Sequence, residues 1–200
     1  VFRWAAKVAV DYSRSLDGPA GPSRALRAQR ALADRLVFQR IRTLVGGNVD
    51  WIISGGAPLS QRLAHFYRGL GIPVLEGYGL TETVGPVSVN TPRLSKIGTV
   101  GPPLPPVAVR VAEDGEILVK GPSVFQGYHN DTEATAAALT PDGWFRTGDL
   151  GSLDRDGYVR ITGRAKDIIV TAGGKNVAPA ILEDRLRGHP LVSQVLVVGD

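Results

Sequence analysis

The 200-residue sequence contains no cysteine and no methionine. Without cysteine the chain has no disulfides and no thiolate chemistry, and its composition is compatible with a reducing compartment. Because a natural chain starts with methionine and this one starts at Val1, within an apolar periodic stretch, we expect an internal piece of a longer protein. No apolar run approaches the roughly 18–20 residues of a membrane span, so the sequence predicts no bilayer crossing.

Acidic residues are slightly outnumbered, with 23 Lys and Arg against 19 Asp and Glu and a net charge of +4. Many of the arginines lie between Arg24 and Arg42, where they alternate with apolar residues at helical spacing. That pattern is typical of the solvated face of an amphipathic helix, and we predict no nucleic-acid partner. A non-catalytic module that binds polyanions remains a remote alternative, which a steep loss of DNA binding with rising salt would favour.

The first half of the chain alternates helical and extended patterns. Helices are predicted over 2–15 and 24–45, and the apolar strand "VDWIIS" then runs into the loop "GGAPL". "SQRLAHFYRGLG" predicts a helix with Ser60 as N-cap and Gly71 near its end, and "IPVLEGYG" predicts a second buried strand. Two strands flanking a helix indicate a βαβ unit of a parallel sheet, in which ligands bind at the carboxyl ends of the strands.

The second half alternates apolar and polar residues around two turn signals, Asp114-Gly115 and Asp156-Gly157, which predict β-hairpins. A helix at 179–187 and a strand in "VSQVLVVGD" follow. We therefore predict an α/β fold in four parts: a partial α/β nucleotide-binding subdomain at 1–97 with a parallel sheet, a β-rich barrel-like subdomain at 98–163, a hinge at 164–166, and the start of a small α+β C-terminal domain at 167–200.

The segment "GYGLTET", residues 77–83, combines residue types that suit a nucleotide. Glycines let the backbone approach a ligand closely, and a tyrosine between them can lay its ring on a base. Threonine hydroxyls can reach phosphate oxygens, and a glutamate can hold a hard Mg²⁺ ion beside them. Taken alone, the segment also fits a strand-to-helix turn.

Two later motifs support the nucleotide interpretation. In "GWFRTGDLG", Asp149 occupies a tight turn and could accept hydrogen bonds from both hydroxyls of a ribose, and "GRAKD" supplies Arg164 as a fixed cation. Other enzyme classes fit less well, because the histidines (His65, His129, His189) lack metal-site spacing and no G-x-S-x-G elbow surrounds Ser54. "GYGLTE" also lacks the third glycine of a dinucleotide fingerprint.

Together "SGGAPLS", "EGYGLTET", "GWFRTGDLG" and "GRAKDIIVTAGGKNVAPA" occur in an order that resembles the adenylate-forming (AMP-binding) superfamily, and within it the long-chain fatty acyl-CoA synthetases. The resemblance covers essentially the whole chain and implies that residues before the hinge belong to the large N-terminal domain of such an enzyme. It implies ATP-dependent activation of a long-chain fatty acid to acyl-AMP, followed by transfer to coenzyme A. A fatty acyl-AMP ligase, or a CoA ligase for another carboxylic acid, remains an alternative.

The resemblance also implies residue roles. Thr81, Glu82 and Lys166 would be catalytic; Glu82 would hold Mg²⁺, and Lys166 would lie at the hinge about which the C-terminal domain rotates. Coenzyme A would meet Gly173, Gly174 and Lys175. The positions that would bind ATP or AMP are Gly55, Gly56, Ala57, Glu76, Gly77, Tyr78, Gly79, Thr81, Asp149 and Arg164.

The sequence departs from the family pattern at Val170, where many relatives have lysine, and at Asn176, where some have an aromatic residue. The family's phosphate loop should precede Val1 and its adenylation lysine should follow Asp200. We therefore expect the 200-residue piece to bind AMP weakly and to be unable to form the adenylate. Expected partners are fatty acid, ATP and CoA, in a cytoplasmic protein for which peripheral membrane association is compatible with an apolar substrate.

Overall fold

The computed structural model describes residues 1–171, 173–189 and 191–199. They form two compact units, each described here by itself: unit 1 consists of residues 1–76 and 90–98, and unit 2 of residues 77–89 and the described part of 99–200. Among the described residues, no helix is both long enough and apolar enough to span a membrane.

Unit 1 begins with helices, as the sequence pattern predicts. α1 (Phe2–Leu16) is followed by α2 (Arg24–Ala33), a π-helical turn (Asp34–Phe38) and α3 (Gln39–Leu44), which confirms the helical patterns over 2–15 and 24–45. The apolar faces of these helices and of the next one form a core that excludes water. Its fully buried members are Ala5, Val8, Ala9, Ala33, Phe38, Leu70 and Ile72.

The predicted βαβ unit is present. β1 (Ile52–Ser54) leads through α4 (Gln61–Leu70) to β2 (Val74–Leu80), and β1 pairs in parallel with the first residues of β2. Gly71 ends α4 in the left-handed conformation at φ 102°, which glycine adopts without steric cost. Ser60 takes the N-cap position as predicted, although its side chain makes no capping hydrogen bond.

Unit 2 is built on antiparallel strands. The end of β2 turns through a short 3₁₀ helix (Thr81–Thr83) into β3 (Gly85–Val89), which pairs with it antiparallel. Four further strands form one sheet in the order β4-β5-β6-β7, which confirms the β-rich prediction and both hairpin turns. These strands are β4 (Ala108–Val111), β5 (Glu116–Lys120), β6 (Phe145–Leu153) and β7 (Val159–Arg164). The buried core of the unit consists of Val87, Ile117, Val119, Phe145 and Val159.

Several elements differ from the sequence prediction. β3 and a helix in the β-rich region, α5 (Thr132–Ala138), were not predicted, although Asp131 gives α5 a standard N-cap by accepting a hydrogen bond from the Ala134 N–H at 2.8 Å. The strand predicted in "VSQVLVVGD" is wrong for residues 192–199; Asp200 lies outside the described residues. The Val197 N–H there donates to the Glu183 carboxylate at 3.0 Å instead of to a neighbouring strand.

The described end of unit 2 is an α+β segment. A 3₁₀ turn (Ala165–Asp167) follows β7 and leads to a two-stranded antiparallel hairpin of β8 (Ile169–Val170) and β9 (Asn176–Val177). The predicted helix at 179–187 is confirmed as α6 (Pro179–Arg187), which begins with proline at its first position.

A buried polar network joins α1 to α4 in unit 1. The Ser13 hydroxyl oxygen lies 3.0 Å from His65 Nδ1 and accepts a hydrogen bond from Arg68 Nε at 2.7 Å. Arg68 also forms an ion pair with Asp17 at 2.7 Å. Burial, and next the positive charge of Arg68, lower the pKa of His65 below its ordinary value of 6.5. The fold therefore holds the neutral imidazole.

We predict that α1 and α4 lose protection as the pH falls below 6.5. The unfolded chain takes up a proton on His65 at its ordinary pKa, whereas the folded chain resists protonation until a lower pH, so the stabilisation present above 6.5 is lost through this window. Hydrogen exchange of the α1 and α4 amides, corrected for intrinsic rates, should show this loss between pH 7 and pH 5. His65→Gln should reduce the pH dependence and the exposed His129→Gln should not; equal slopes in all three proteins would contradict the prediction.

The glycines of the "GYG" segment have a packing role within unit 2. A Cβ on Gly79 would lie 2.2 Å from the Gly85 carbonyl oxygen of β3, whereas a Cβ on Gly77 would meet the Val89 methyl group at 3.2 Å. The backbones of β2 and β3 approach at Gly79 because the register shifts between Tyr78 and Gly79. A side chain at Gly79 would therefore push the strands apart, and one at Gly77 would displace only a methyl group.

We predict that Gly79→Ala lowers the free energy of unfolding of unit 2 by about 3 kcal/mol, at the upper end for overpacking. Gly77→Ala is the matched control and should cost about 1 kcal/mol or less, because a side chain can move where a carbonyl cannot. Hydrogen exchange of the β2 and β3 amides measures both variants. Equal protection in the two would contradict the steric argument.

Candidate functional site

Asp149 and Arg164 face each other across two paired strands. The register of β6 and β7 sets these two residues opposite one another, and Arg164 Nε donates to Asp149 Oδ1 at 3.1 Å. Asp149 is 4% exposed, whereas half of the Arg164 side chain is open to solvent. The half-exposed arginine thus neutralises a buried carboxylate.

Tyr78 completes this group from β2. Its hydroxyl donates to Asp149 Oδ2 at 2.6 Å. Burial, and next the hydrogen bond to Asp149, raise the pKa of Tyr78 well above its ordinary value of 10.0, so the phenol keeps its proton and remains a donor. We call Tyr78, Asp149 and Arg164 the Asp149 cluster. The structure brings together these three predicted site residues. Tyr78 is 71 positions from Asp149 in the sequence, and Arg164 is 15 positions from it.

The Asp149 carboxylate has hydrogen-bond acceptor capacity beyond its two side-chain partners. Each oxygen of a carboxylate has two acceptor positions, and Tyr78 and Arg164 use one on each oxygen. The remaining two positions match the number of donors that a pair of vicinal hydroxyls offers. The hydroxyl of Thr147, which accepts from the Asp149 N–H at 3.0 Å and donates to the Ile117 carbonyl at 2.7 Å, fixes the backbone beneath the carboxylate.

Thr81 and Glu82 lie in the 3₁₀ turn after β2. Thr81 is exposed, and the half-buried Glu82 accepts a hydrogen bond from the Tyr128 hydroxyl at 3.0 Å on Oε1. The carbonyl of Glu82 also accepts from the Phe125 N–H at 2.8 Å. The segment 125–128 therefore holds the glutamate through backbone and side chain, a contact that the sequence reasoning missed because Tyr128 is 46 residues away.

The two threonines of the turn differ in role. Thr83 is fully buried, and its hydroxyl accepts from the Leu80 N–H at 3.0 Å and lies within 3.0 Å of the Leu80 and Gly85 carbonyls. It stabilises the turn itself. Thr81, by contrast, is exposed to solvent.

One acidic residue, Glu82, could hold Mg²⁺ together with ligands from water and a substrate. No group of three or more His, Cys, Asp or Glu side chains that could hold a metal occurs among the residues described. Mg²⁺ commonly binds proteins through one or two carboxylates and takes its other ligands from water and phosphates. Glu82 fits this pattern, because Tyr128 uses Oε1 and the other carboxylate oxygen, Oε2, can meet a cation.

Four of the predicted adenine-site positions belong to unit 1. Gly55, Gly56 and Ala57 form an exposed loop after β1, and Gly56 has φ 80°. Glu76, at the carboxyl end of its parallel pairing with β1, accepts a hydrogen bond from the Leu59 N–H at 3.1 Å. Burial raises the pKa of Glu76 above its ordinary value. Its side chain thus anchors the "GGAPL" loop.

The predicted hinge and CoA residues follow β7. Lys166 is exposed in the 3₁₀ turn that links β7 to β8. Gly173, Gly174 and Lys175 are exposed in the turn of the β8–β9 hairpin, where the Thr171 N–H donates to the Lys175 carbonyl at 3.0 Å. This hydrogen bond closes the loop within its own hairpin.

The sequence matches known families over most of its length. A sequence profile described as AMP-binding enzyme matches residues 20–129, and a profile described as AMP-binding enzyme C-terminal domain matches residues 166–200. The chain is 56% identical over 200 residues to long-chain-fatty-acid–CoA ligase FadD15 of Mycobacterium tuberculosis, covering all of this chain and 33% of that protein. The chain thus spans about a third of the length of the curated relatives it matches.

Solved structures of similar fold contain nucleotides. ATP-bound MatB from Rhodopseudomonas palustris is 38% identical with a TM-score of 0.71, over 84% of this chain and 36% of that one. O-succinylbenzoate coenzyme A synthetase (MenE) from Bacillus subtilis, in complex with ATP and magnesium ion, is 33% identical with a TM-score of 0.67, over 78% of this chain and 36% of that one. With the first profile covering more than half of its residues, the chain belongs to the AMP-binding enzyme family.

Proposed function

We propose that the protein containing this chain activates a long-chain fatty acid with ATP and transfers the acyl group to coenzyme A. The observation that carries the proposal is the 56% identity, over all 200 residues, to a long-chain-fatty-acid–CoA ligase. The geometry of unit 2 agrees with it, because the Asp149 cluster offers two free acceptor positions and the Thr81–Glu82 turn offers a hydroxyl and a carboxylate.

The reaction has two steps. A carboxylate oxygen of the fatty acid attacks the α-phosphorus of ATP, the bond to pyrophosphate breaks, and acyl-AMP forms. The sulfur of coenzyme A then attacks the acyl carbonyl, its proton is lost, and AMP leaves. The attacking carboxylate is already ionised, so the first step needs orientation and shielding of phosphate charge more than acid–base catalysis.

The Asp149 cluster would hold the sugar and the base. Asp149 would accept both ribose hydroxyls on its free acceptor positions, assisted by Arg164. Tyr78 would stack on the adenine, with the end of its ring held by the hydrogen bond from its hydroxyl to Asp149. Gly55, Gly56 and Ala57 would line the adenine site through their backbones, and Glu76, Gly77 and Gly79 would frame the base.

The turn after β2 would hold the phosphates. The exposed Thr81 hydroxyl would donate to a phosphate oxygen, and Glu82 would hold Mg²⁺. When bound, Mg²⁺ supplies positive charge that neutralises the phosphate oxygens. Tyr128 and the Phe125 N–H would keep Glu82 in place.

The C-terminal part would serve the second step. We propose the boundaries 1–97, 98–163, 164–166 and 167–200, with Lys166 at the hinge and Gly173, Gly174 and Lys175 near the pantetheine chain of coenzyme A. The C-terminal-domain profile, which starts at residue 166, supports the hinge assignment. The exposure of the β8–β9 turn is compatible with a docking role.

We predict that ATP–pyrophosphate exchange by the full-length protein peaks at palmitate among acetate, octanoate, palmitate and benzoate. Adding coenzyme A should convert exchange into net thioester formation, because the thiol consumes the adenylate. Exchange that ignores coenzyme A would indicate an acyl-AMP ligase, and a peak at another acid would change the substrate. Absence of exchange with all four acids would contradict the proposed reaction.

We predict that Glu82→Gln lowers the exchange rate about 100-fold or more, as expected for losing one group that stabilises developing charge. The Mg²⁺ concentration for half-maximal exchange should rise as well, because an amide binds Mg²⁺ more weakly than a carboxylate does. Glu133→Gln, an exposed carboxylate of α5, is the control and should behave as the wild type. Unchanged rate and unchanged Mg²⁺ dependence in Glu82→Gln would refute the assignment.

A further inference from the structure

Glu116 is a buried carboxylate in a strand whose next three residues are buried and apolar. It is 6% exposed, at the start of β5, and is followed by Ile117, Leu118 and Val119. Burying a carboxylate is costly unless hydrogen bonds and opposite charge compensate it. Both compensations are present: the Gly148 N–H donates to Oε1 at 2.8 Å, and Arg146 pairs with Oε2 at 2.6 Å.

The hydrogen bond to Gly148 closes a bulge in β6. Glu116 is opposite Leu150 and Leu118 is opposite Arg146, so one residue of β5 faces the three residues 147–149 of β6. We call residues 147–149 the β6 bulge. Its extra residues interrupt the ladder and leave backbone groups to be satisfied by side chains.

Two side chains, one from β6 itself and one from β5, make hydrogen bonds with backbone groups at the β6 bulge. Thr147 bonds the Ile117 carbonyl and the Asp149 N–H, and Glu116 accepts from the Gly148 N–H between them. Gly148 has φ 70°, a left-handed conformation that suits glycine, and a Cβ there would meet nothing within 4 Å. Glycine at 148 therefore permits the left-handed backbone conformation that the hydrogen bond to Glu116 holds. The next residue in the chain is Asp149.

We propose that Glu116 is a positioning residue for the ribose contact: by holding Gly148 in the β6 bulge, it fixes the direction in which the Asp149 carboxylate meets the two sugar hydroxyls. This inference rests on the proposed function, in which Asp149 binds the ribose. The essential contact is the acceptor at Oε1, and the ion pair with Arg146 serves to neutralise the buried charge.

The test separates the position of the acceptor oxygen from the negative charge of the Glu116 side chain. Glu116→Gln keeps an acceptor oxygen at the same distance from the backbone and loses the charge. Glu116→Asp keeps the charge and withdraws the acceptor from Gly148 by one methylene. Glu116→Leu removes both, and Arg146→Met removes the ion pair but leaves the bond to Gly148.

The measurement is the ratio of dissociation constants of 2′,3′-dideoxy-AMP and AMP for the full-length protein, obtained by calorimetry. A loss of fold alone lowers the affinity for both nucleotides, whereas misdirection of Asp149 lowers the ratio. Wild type should favour AMP about 10- to 100-fold, the range expected for hydrogen bonds to a charged group. Thermal unfolding of each variant is measured in parallel.

We expect Glu116→Gln and Arg146→Met to keep the wild-type ratio within about threefold, and Glu116→Asp and Glu116→Leu to reduce it to about threefold or less. If Glu116→Leu does not fold, Glu116→Asp decides the matter because it retains the buried charge pair. A wild-type ratio in Glu116→Asp, or an equal loss in Glu116→Gln, would overturn the positioning role.

Asp149→Ala distinguishes this failure from failure of the proposed function. If Asp149→Ala loses the ratio while Glu116→Asp keeps it, Asp149 binds the ribose and only the role of Glu116 is wrong. If Asp149→Ala keeps the wild-type ratio, the ribose role of Asp149 is itself wrong, and the inference fails with it. Absence of AMP binding in the wild type would reject the nucleotide site.

Discussion

The arrangement of unit 2 depends on one buried negative charge, the carboxylate of Asp149. At 4% exposure its burial would be costly without hydrogen-bonding and charged partners. Tyr78 from β2 and Arg164 from β7 provide them, at 2.6 and 3.1 Å. Removing one partner would leave an uncompensated buried charge, which costs far more than the net value of the contact it made. The charge therefore favours the side-chain positions of Tyr78 and Arg164 that compensate it.

The same interaction gives Tyr78 a dual role that its sequence motif conceals. In "GYGLTET" the tyrosine is flanked by glycines, which suggests a ring free to cover a ligand. In the structure its hydroxyl donates to Asp149, which holds the outer end of the side chain in place. Gly79 is required by the close approach of the Gly85 carbonyl, at 2.2 Å from an added Cβ. Part of the motif thus satisfies strand packing, and part can serve a ligand.

Local sequence patterns predicted those elements that depend on interactions between residues close together in the chain. The helices of unit 1, the βαβ unit and the hairpins at Asp114-Gly115 and Asp156-Gly157 follow from hydrophobic period and turn chemistry. α5 was predictable from the capping residue Asp131 and its run of alanines. The strand expected after residue 191 was wrong for 192–199, because an apolar run becomes a strand only where a neighbour offers a ladder. Glu183 satisfies one of its amides instead.

The residues of the candidate site also differ in whether local sequence patterns can predict them. Asp149, Arg164 and Tyr78 can be found from motifs, because their residue types carry the chemistry. Glu116 and Tyr128 cannot, since a glutamate at the start of a strand and a tyrosine in a loop carry no signal until pairing brings them to Gly148 and Glu82. Both satisfy a neighbour's hydrogen-bonding group: Glu116 accepts from the Gly148 N–H, and the Tyr128 hydroxyl donates to Glu82. Preorganisation of this kind would reduce the entropic cost of ordering the site on binding. It depends on strand pairing more than on any local sequence motif.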